Sequence, residues 1–315
     1  MKFLKITLAS ILGLLLIAFA TGYILFVKNN TEVLILDEAA RKNVSGSFVK
    51  LTDGVTHYEL AGSDTGKVVV LVHGFSVPYY IWDSTFVKLV GEGYRVLRYD
   101  EYGRGFSDRP EKVYEAAFLR NQLEELLTKL NLSSVHAIAG LSFGGPVVTD
   151  FVVHHPTQVD KVILVDPMYP VESDRAGGTQ YPESFMNYMM ALSPGDMVNG
   201  QLTDLKYPER FPQWGDQYKV QMQYKGLRQA LISTRLHYAT PEQIRATYEQ
   251  LDKLAKPVLL IWGMEDNTTP FSLSDELRKV LHTDFMPIED AAHLPQMEKA
   301  GEVNARILEF LKATP

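Results

Sequence analysis

The stretch Gly140-Leu141-Ser142-Phe143-Gly144 decides the fold. It follows the apolar run Val135-His136-Ala137-Ile138-Ala139 directly, and Gly145 extends it. A serine flanked two residues away by glycines, between a strand and a helix, has the form of the G-x-S-x-G nucleophile elbow. The turn is so tight that the serine's backbone is strained and its near neighbours must lack bulk. In return the hydroxyl stands clear of the sheet, and the next backbone N–H points at an incoming oxyanion. Ser142 is thus a candidate nucleophile and the Phe143 amide a candidate oxyanion donor. Glycine-serine stretches are often plain turns, so the surrounding pattern carries the argument.

That pattern is regular. Apolar runs recur at 68–72, 95–99, 135–139, 162–165 and 258–261, and segments of helical spacing such as 114–130, 143–154 and 241–254 separate most of them. Strands apolar throughout that alternate with helices indicate a parallel sheet covered on both faces. Upstream, 48–52 and 55–60 flank Asp53-Gly54, a hairpin signal. Downstream, 284–288 reads as a further short strand. The expectation is an α/β fold with a mostly parallel eight-stranded sheet and helices on both faces.

One interval breaks the alternation. From about 168 to 239 no strand is legible, while aromatics and methionines accumulate. An insertion there stands over the sheet's C-terminal edge, where ligands bind in open α/β folds, and reads as a helical cap. Met168, Met189, Met190 and Trp214 are its candidate substrate contacts, since methionine adapts to irregular pockets. The plainer reading is that they form the cap's own core. The chain then divides into 1–28, a linker 29–47, a core of 48–167 with 240–315, and the cap 168–239.

Composition narrows the function. Of 315 residues, 46% are hydrophobic and 22% charged, ordinary values for a chain that buries a full core. A net charge of −7 without a basic cluster argues against a nucleic-acid partner. Cysteine is absent, which excludes disulfides, thiol catalysis and lipoprotein acylation. Lys2 and Lys5 precede an uncharged apolar run, 6–27, closed by Lys28. That run is long enough to span a bilayer. A cleaved signal peptide is the alternative, because Ala18-Phe19-Ala20 has the small-x-small form. Cleavage would leave Tyr23-Ile24-Leu25-Phe26-Val27 exposed, so the anchor is preferred. Either way the lysines stay cytoplasmic and the remainder is exported.

A serine hydroxyl needs a base in reach, and the base needs an orienting carboxylate. With this elbow the chain order is serine, then acid, then histidine. Leu260-Ile261-Trp262-Gly263-Met264-Glu265-Asp266 is an apolar strand ending in a glycine turn with a carboxylate, which makes Asp266 the candidate acid. Glu265 competes with it. Asp166, after its own strand, reads better as a turn cap. Among eight histidines, His293 alone follows the acid in a small-residue loop before the last helix, and it is the candidate base. The second oxyanion donor comes from the loop after 68–72, at the Phe75 amide, with His73 holding that loop.

Together these residues resemble the α/β-hydrolase fold superfamily over roughly 48–313. The likeness is carried by VLVHGF at 70–75, YDEYGRGFSDRP at 99–110, GLSFGG at 140–145, and WGMEDNTTP with the later AAHLPQME. It implies a serine esterase or lipase that needs no metal or organic cofactor and takes a small-molecule or lipid ester. Members with an aspartate nucleophile, such as haloalkane dehalogenases and many epoxide hydrolases, differ where Ser142 stands. With its N-terminal anchor the chain is similar to membrane-anchored monoacylglycerol lipases. Carbon–carbon hydrolases and proline-type aminopeptidases share the scaffold. The latter need acidic cap residues, for which Glu172, Asp174 and Glu183 are available. A ligand receptor on the same fold is the reading outside enzymes.

Overall fold

Valine, isoleucine and leucine dominate the runs that become the sheet's centre, because a strand covered on both faces must be apolar on both. The computed structural model describes residues 2–170 and 181–313. Its strands are β1 (Ser47–Lys50), β2 (Val55–Ala61), β3 (Val68–Val72), β4 (Arg95–Tyr99), β5 (Val135–Leu141), β6 (Val159–Val165), β7 (Val258–Gly263) and β8 (Asp284–Ile288). Across the sheet their order is β1-β2-β4-β3-β5-β6-β7-β8. β2 runs antiparallel to both β1 and β4, and every other neighbouring pair is parallel. The hairpin closes around Asp53-Gly54, with the Leu51 amide donating to the Gly54 carbonyl at 2.8 Å.

The helices are α1 (Lys2–Asn29), α2 (Glu38–Arg41), α3 (Asp83–Gly91), α4 (Ala116–Lys129), α5 (Gly144–His154), α6 (Glu183–Leu192), α7 (Pro194–Thr203), α8 (Trp214–Met222), α9 (Leu227–His237), α10 (Pro241–Lys253), α11 (Ser272–Arg278), α12 (Pro295–Glu298) and α13 (Ala300–Lys312). Side chains alternate across a strand, so β3 sends Val70 and Val72 to one face and Val69 and Leu71 to the other. The first face packs on α4, α5, α10 and α11 through residues such as Leu123, Phe151, Tyr248 and Leu277. The second packs on α3 and α13 through Leu89, Val303 and Ile307, and its cluster runs on into Trp214, Tyr218, Met222 and Leu231. The mostly parallel eight-stranded sheet with helices on both faces is therefore as the sequence implies.

Between β6 and α10 the described chain holds helices α6 to α9 and no strand. Of its buried aromatic and methionine residues, Trp214, Tyr218 and Met222 belong to the second cluster and Tyr169 and Tyr238 to the first. The segment 29–34 is sewn to this insertion. The Val33 and Leu34 amides donate to the Gln223 carbonyl, and the Lys225 amide donates to the Leu34 carbonyl. Within α1, Ile6–Asn29 is long and apolar enough to cross a membrane, and none of its described side chains is buried.

Candidate active site

The elbow forms because only small residues fit around it. Ser142 takes φ +52°, a left-handed conformation that strains any residue with a Cβ. A Cβ on Gly140 would run into the Gly144 carbonyl, and one on Gly144 would sit 2.6 Å from the His73 carbonyl oxygen. The turn is closed by the Ser142 amide on Val165 O (2.9 Å) and by the Gly145 amide on Ser142 O (2.8 Å). Ser142 lines a cavity of about 220 Å³.

His293 shares that cavity. Its ring is buried, and Nδ1 lies 2.7 Å from Asp266 Oδ2. Asp266 Oδ1 accepts from the amides of Thr268 (2.7 Å) and Thr269 (2.9 Å), while Oδ2 also accepts from the Thr269 hydroxyl at 2.7 Å. Burial would raise the Asp266 pKa, but His293 and Thr269 outweigh it and hold the carboxyl below its ordinary value. The ionised acid thus fixes the Nδ1–H tautomer and leaves Nε2 free as an acceptor. Glu265 turns outward to Lys206 Nζ at 2.5 Å and does not reach the imidazole.

Asp166 lies beside this pair. Its Oδ1 accepts the Gly263 amide at 2.8 Å, a turn-capping role. Burial, and then the neighbouring Asp266 charge, push its carboxyl well above the usual carboxylate range. Ligand atoms of Asp166, Asp266 and His293 lie within 4.8 Å of one another. A cation there would have to displace the proton between Asp266 and His293.

The oxyanion side is built from β3's outgoing loop. Gly74 lies directly against the serine: a Cβ there would be in ordinary contact with Ser142 Cβ, at 3.4 Å. His73 Nε2 accepts the Glu101 amide (2.9 Å), and Nδ1 bonds the Gly74 carbonyl (2.6 Å). Burial lowers the His73 pKa to about 4, so it is a neutral strut. Buried Arg104 donates to the Phe75 carbonyl at 2.9 Å and pins the same loop. The amides of Phe75 and Phe143 donate to no backbone acceptor among the described residues.

The four candidate substrate contacts lie outside the serine's cavity. None of Met168, Met189, Met190 and Trp214 lines the cavity that holds Ser142. Met168 packs in the first core cluster and Met190 against the second. Met189 is exposed and Trp214 is buried. Instead Gly200, Gln201 and Asp204 descend from the insertion to the serine. Asp204 accepts the Thr268 hydroxyl (2.6 Å) with its carboxylate and the His293 amide (3.0 Å) with its carbonyl. No sequence motif marks Gln201 or Asp204; both are polar residues at the end of an ordinary helix. Glu183 bonds His237 and Gln229 and does not line the serine cavity, while Glu172 and Asp174 lie outside the described residues.

A model of the alpha/beta hydrolase fold family matches residues 67–300. The AB hydrolase superfamily protein YfhM of Bacillus subtilis is 27% identical over 290 residues, spanning 83% of this chain and 96% of its own length. Epoxide hydrolase 1 of Caenorhabditis elegans is 24% identical over 282 residues, which are 84% of this chain and 69% of that protein. Among solved structures, the enol-lactonase from Burkholderia xenovorans aligns with a TM-score of 0.71 at 19% identity, covering 85% of this chain and all of that one, a likeness of fold.

Proposed function

This chain belongs to the alpha/beta hydrolase fold family, and from that premise we propose a serine hydrolase that cleaves carboxylic esters with an apolar acyl group. Ser142 Oγ attacks the carbonyl carbon while His293 Nε2 takes its proton. The Phe75 and Phe143 amides hold the oxyanion, and Asp266 orients the imidazole and stabilises its charge. Collapse of the tetrahedral intermediate expels the alcohol, which receives the proton from His293. Water, activated by the same histidine, then hydrolyses the acyl-enzyme and restores Ser142. The observation that carries this reading is the buried 2.7 Å bond between His293 and Asp266, in the cavity that Ser142 lines. The likeness to an epoxide hydrolase is not extended to the reaction, because serine stands at this elbow.

The helix α1 fits a membrane anchor, and the excess of Lys2 and Lys5 over Lys28 favours the catalytic part on the exported side. The small volume around Ser142 favours short acyl groups there. The test is turnover of p-nitrophenyl esters from acetate to palmitate by the full chain in detergent, beside Ser142→Ala. The expected result is multiple turnover that the variant loses, on the order of 10⁶ in kcat. A folded wild type that turns over none of these esters would remove the reading.

A further inference from the structure

The serine's cavity shares a wall with another. A second cavity of about 340 Å³ is lined by Tyr80, Phe211, Trp214 and Met297, with exposed Gln217 also on its lining. Ile81 lines both cavities and is only 3% exposed. The two are joined mechanically as well. Trp214 Nε1 donates to the Gln201 carbonyl at 3.2 Å, and Gln201 lines the serine's cavity. The rings of Tyr80 and Trp214 meet edge to face with centroids 5.4 Å apart.

We propose that this aromatic chamber receives the apolar arm of the substrate, ending in an aromatic ring, and that Ile81 is the threshold between the scissile carbonyl and that arm. The assignment rests on the ester-hydrolysis reading and names its substrate class. Three observations lead to it. The serine's cavity, about 220 Å³, is smaller than pockets that enclose small-molecule ligands, which run from about 300 to 1,000 Å³, and the neighbouring chamber supplies the missing space. Its wall carries three aromatic rings, Tyr80, Phe211 and Trp214, beside the polar Asp83, Ser84 and Gln213, and an incoming ring finds both a face and an edge in the Tyr80–Trp214 pair. Met297 adds a side chain that adapts to the shape of a guest. The two sides of the chamber also come from different places. Tyr80 sits just beyond the Phe75 loop and Trp214 opens α8, so a guest there would touch core and insertion at once.

The test uses the full chain in detergent, with p-nitrophenyl acetate and p-nitrophenyl 4-phenylbutanoate as probes. Its readout is the ratio of their kcat/KM values. Ile81→Ala widens the threshold, and the ratio of phenylbutanoate to acetate should rise at least fivefold. Gln217→Trp sets a ring into the chamber from an exposed helical position, and the ratio should fall at least tenfold. Ratios within twofold of wild type in both variants, with unchanged melting temperatures, would overturn the proposal. A second measurement needs no turnover. Quenching of tryptophan emission by 4-(4-bromophenyl)butanoate should be present in the wild type and largely lost in Trp214→Phe. If quenching is absent, or does not depend on Trp214, the chamber does not take such an arm. Acetate turnover without either effect removes the chamber and leaves the esterase reading, whereas Trp214-dependent quenching without any ester turnover does the reverse.

Discussion

His293 acts as a base only when its imidazole is neutral. Burial alone would weaken its hold on a proton. The hydrogen bond and charge of Asp266, joined by the charge of Asp204, outweigh burial and raise its pKa above the ordinary 6.5. Ester turnover is therefore expected to fall as pH drops through a value above 6.5. Asp204→Asn removes one of the two charges and keeps the side chain's shape, so the acid limb of the pH–kcat/KM profile should move to lower pH. A limb that stays in place would show that the Asp204 charge does not act on the imidazole. A second titrating residue acts on stability instead. Glu101 is fully buried with neither oxygen partnered among the described residues, and burial raises its pKa to about 8 from 4.5. In the unfolded chain it ionises near 4.5; in the folded chain it stays neutral until about 8. Folding between those values takes up a proton, so its contribution to stability declines as pH rises through that window. Glu101→Gln cannot ionise. Its melting temperature relative to wild type should climb from pH 5 to pH 8, and a flat difference across that range would contradict the assignment.

At the scale of elements, the segment 29–34 does more than connect α1 to the sheet. Buried Glu32 accepts from the amides of Gly226 (2.8 Å) and Arg228 (2.7 Å) at the start of α9, and it lies 3.5 Å from the Arg228 guanidinium. A carboxylate at a helix N-terminus satisfies amides that have no partner inside the helix. Removing it leaves a buried arginine charge without its acidic partner, which costs about 3 kcal/mol. Glu32→Ala should lower the melting temperature by several degrees and expose the 29–34 segment to protease; a variant as stable and as resistant as wild type would deny the strap its role. Nothing in the sequence announces this strap, because its value depends on α9, nearly two hundred residues away. The sheet is different. Runs such as Val68-Val69-Val70-Leu71-Val72 are legible because both faces of a central strand are covered, so the run has one reading. Ser142, Asp266 and His293 are legible through turn chemistry and chain order. Gln201 and Asp204 are not, since a polar residue at a helix end is ordinary until folding carries it to the serine. Met168 and Met190 are ambiguous for the converse reason: an apolar residue near an insertion can join a packed cluster as readily as a pocket, and these two pack against the clusters.

Across the whole molecule, these attachments link the insertion to the apolar helix. The rings of Phe26 and Tyr188 stack with centroids 5.9 Å apart, and the Asn29 side chain donates to the Leu192 carbonyl at 2.9 Å. These contacts hold helix α6 against the end of α1. It also presents exposed Phe185 and Met189, and the strap presents exposed Val33 and Ile35. Apolar side chains gathered at the mouth of a spanning helix are at home in the interface of a bilayer and costly in water. If α1 spans the membrane, the insertion rides at its surface and the sheet stands farther out. The absence of cysteine makes the geometry measurable, since a single introduced thiol is the only labelling site. In vesicles, a spin label at Met189→Cys should relax with dissolved oxygen and resist a water-soluble nickel chelate. A label at Lys279→Cys, just past the end of α11, should show the opposite. Equal exposure of both labels to the chelate would mean that the insertion stands clear of the lipid and that α1 and α6 part in the membrane.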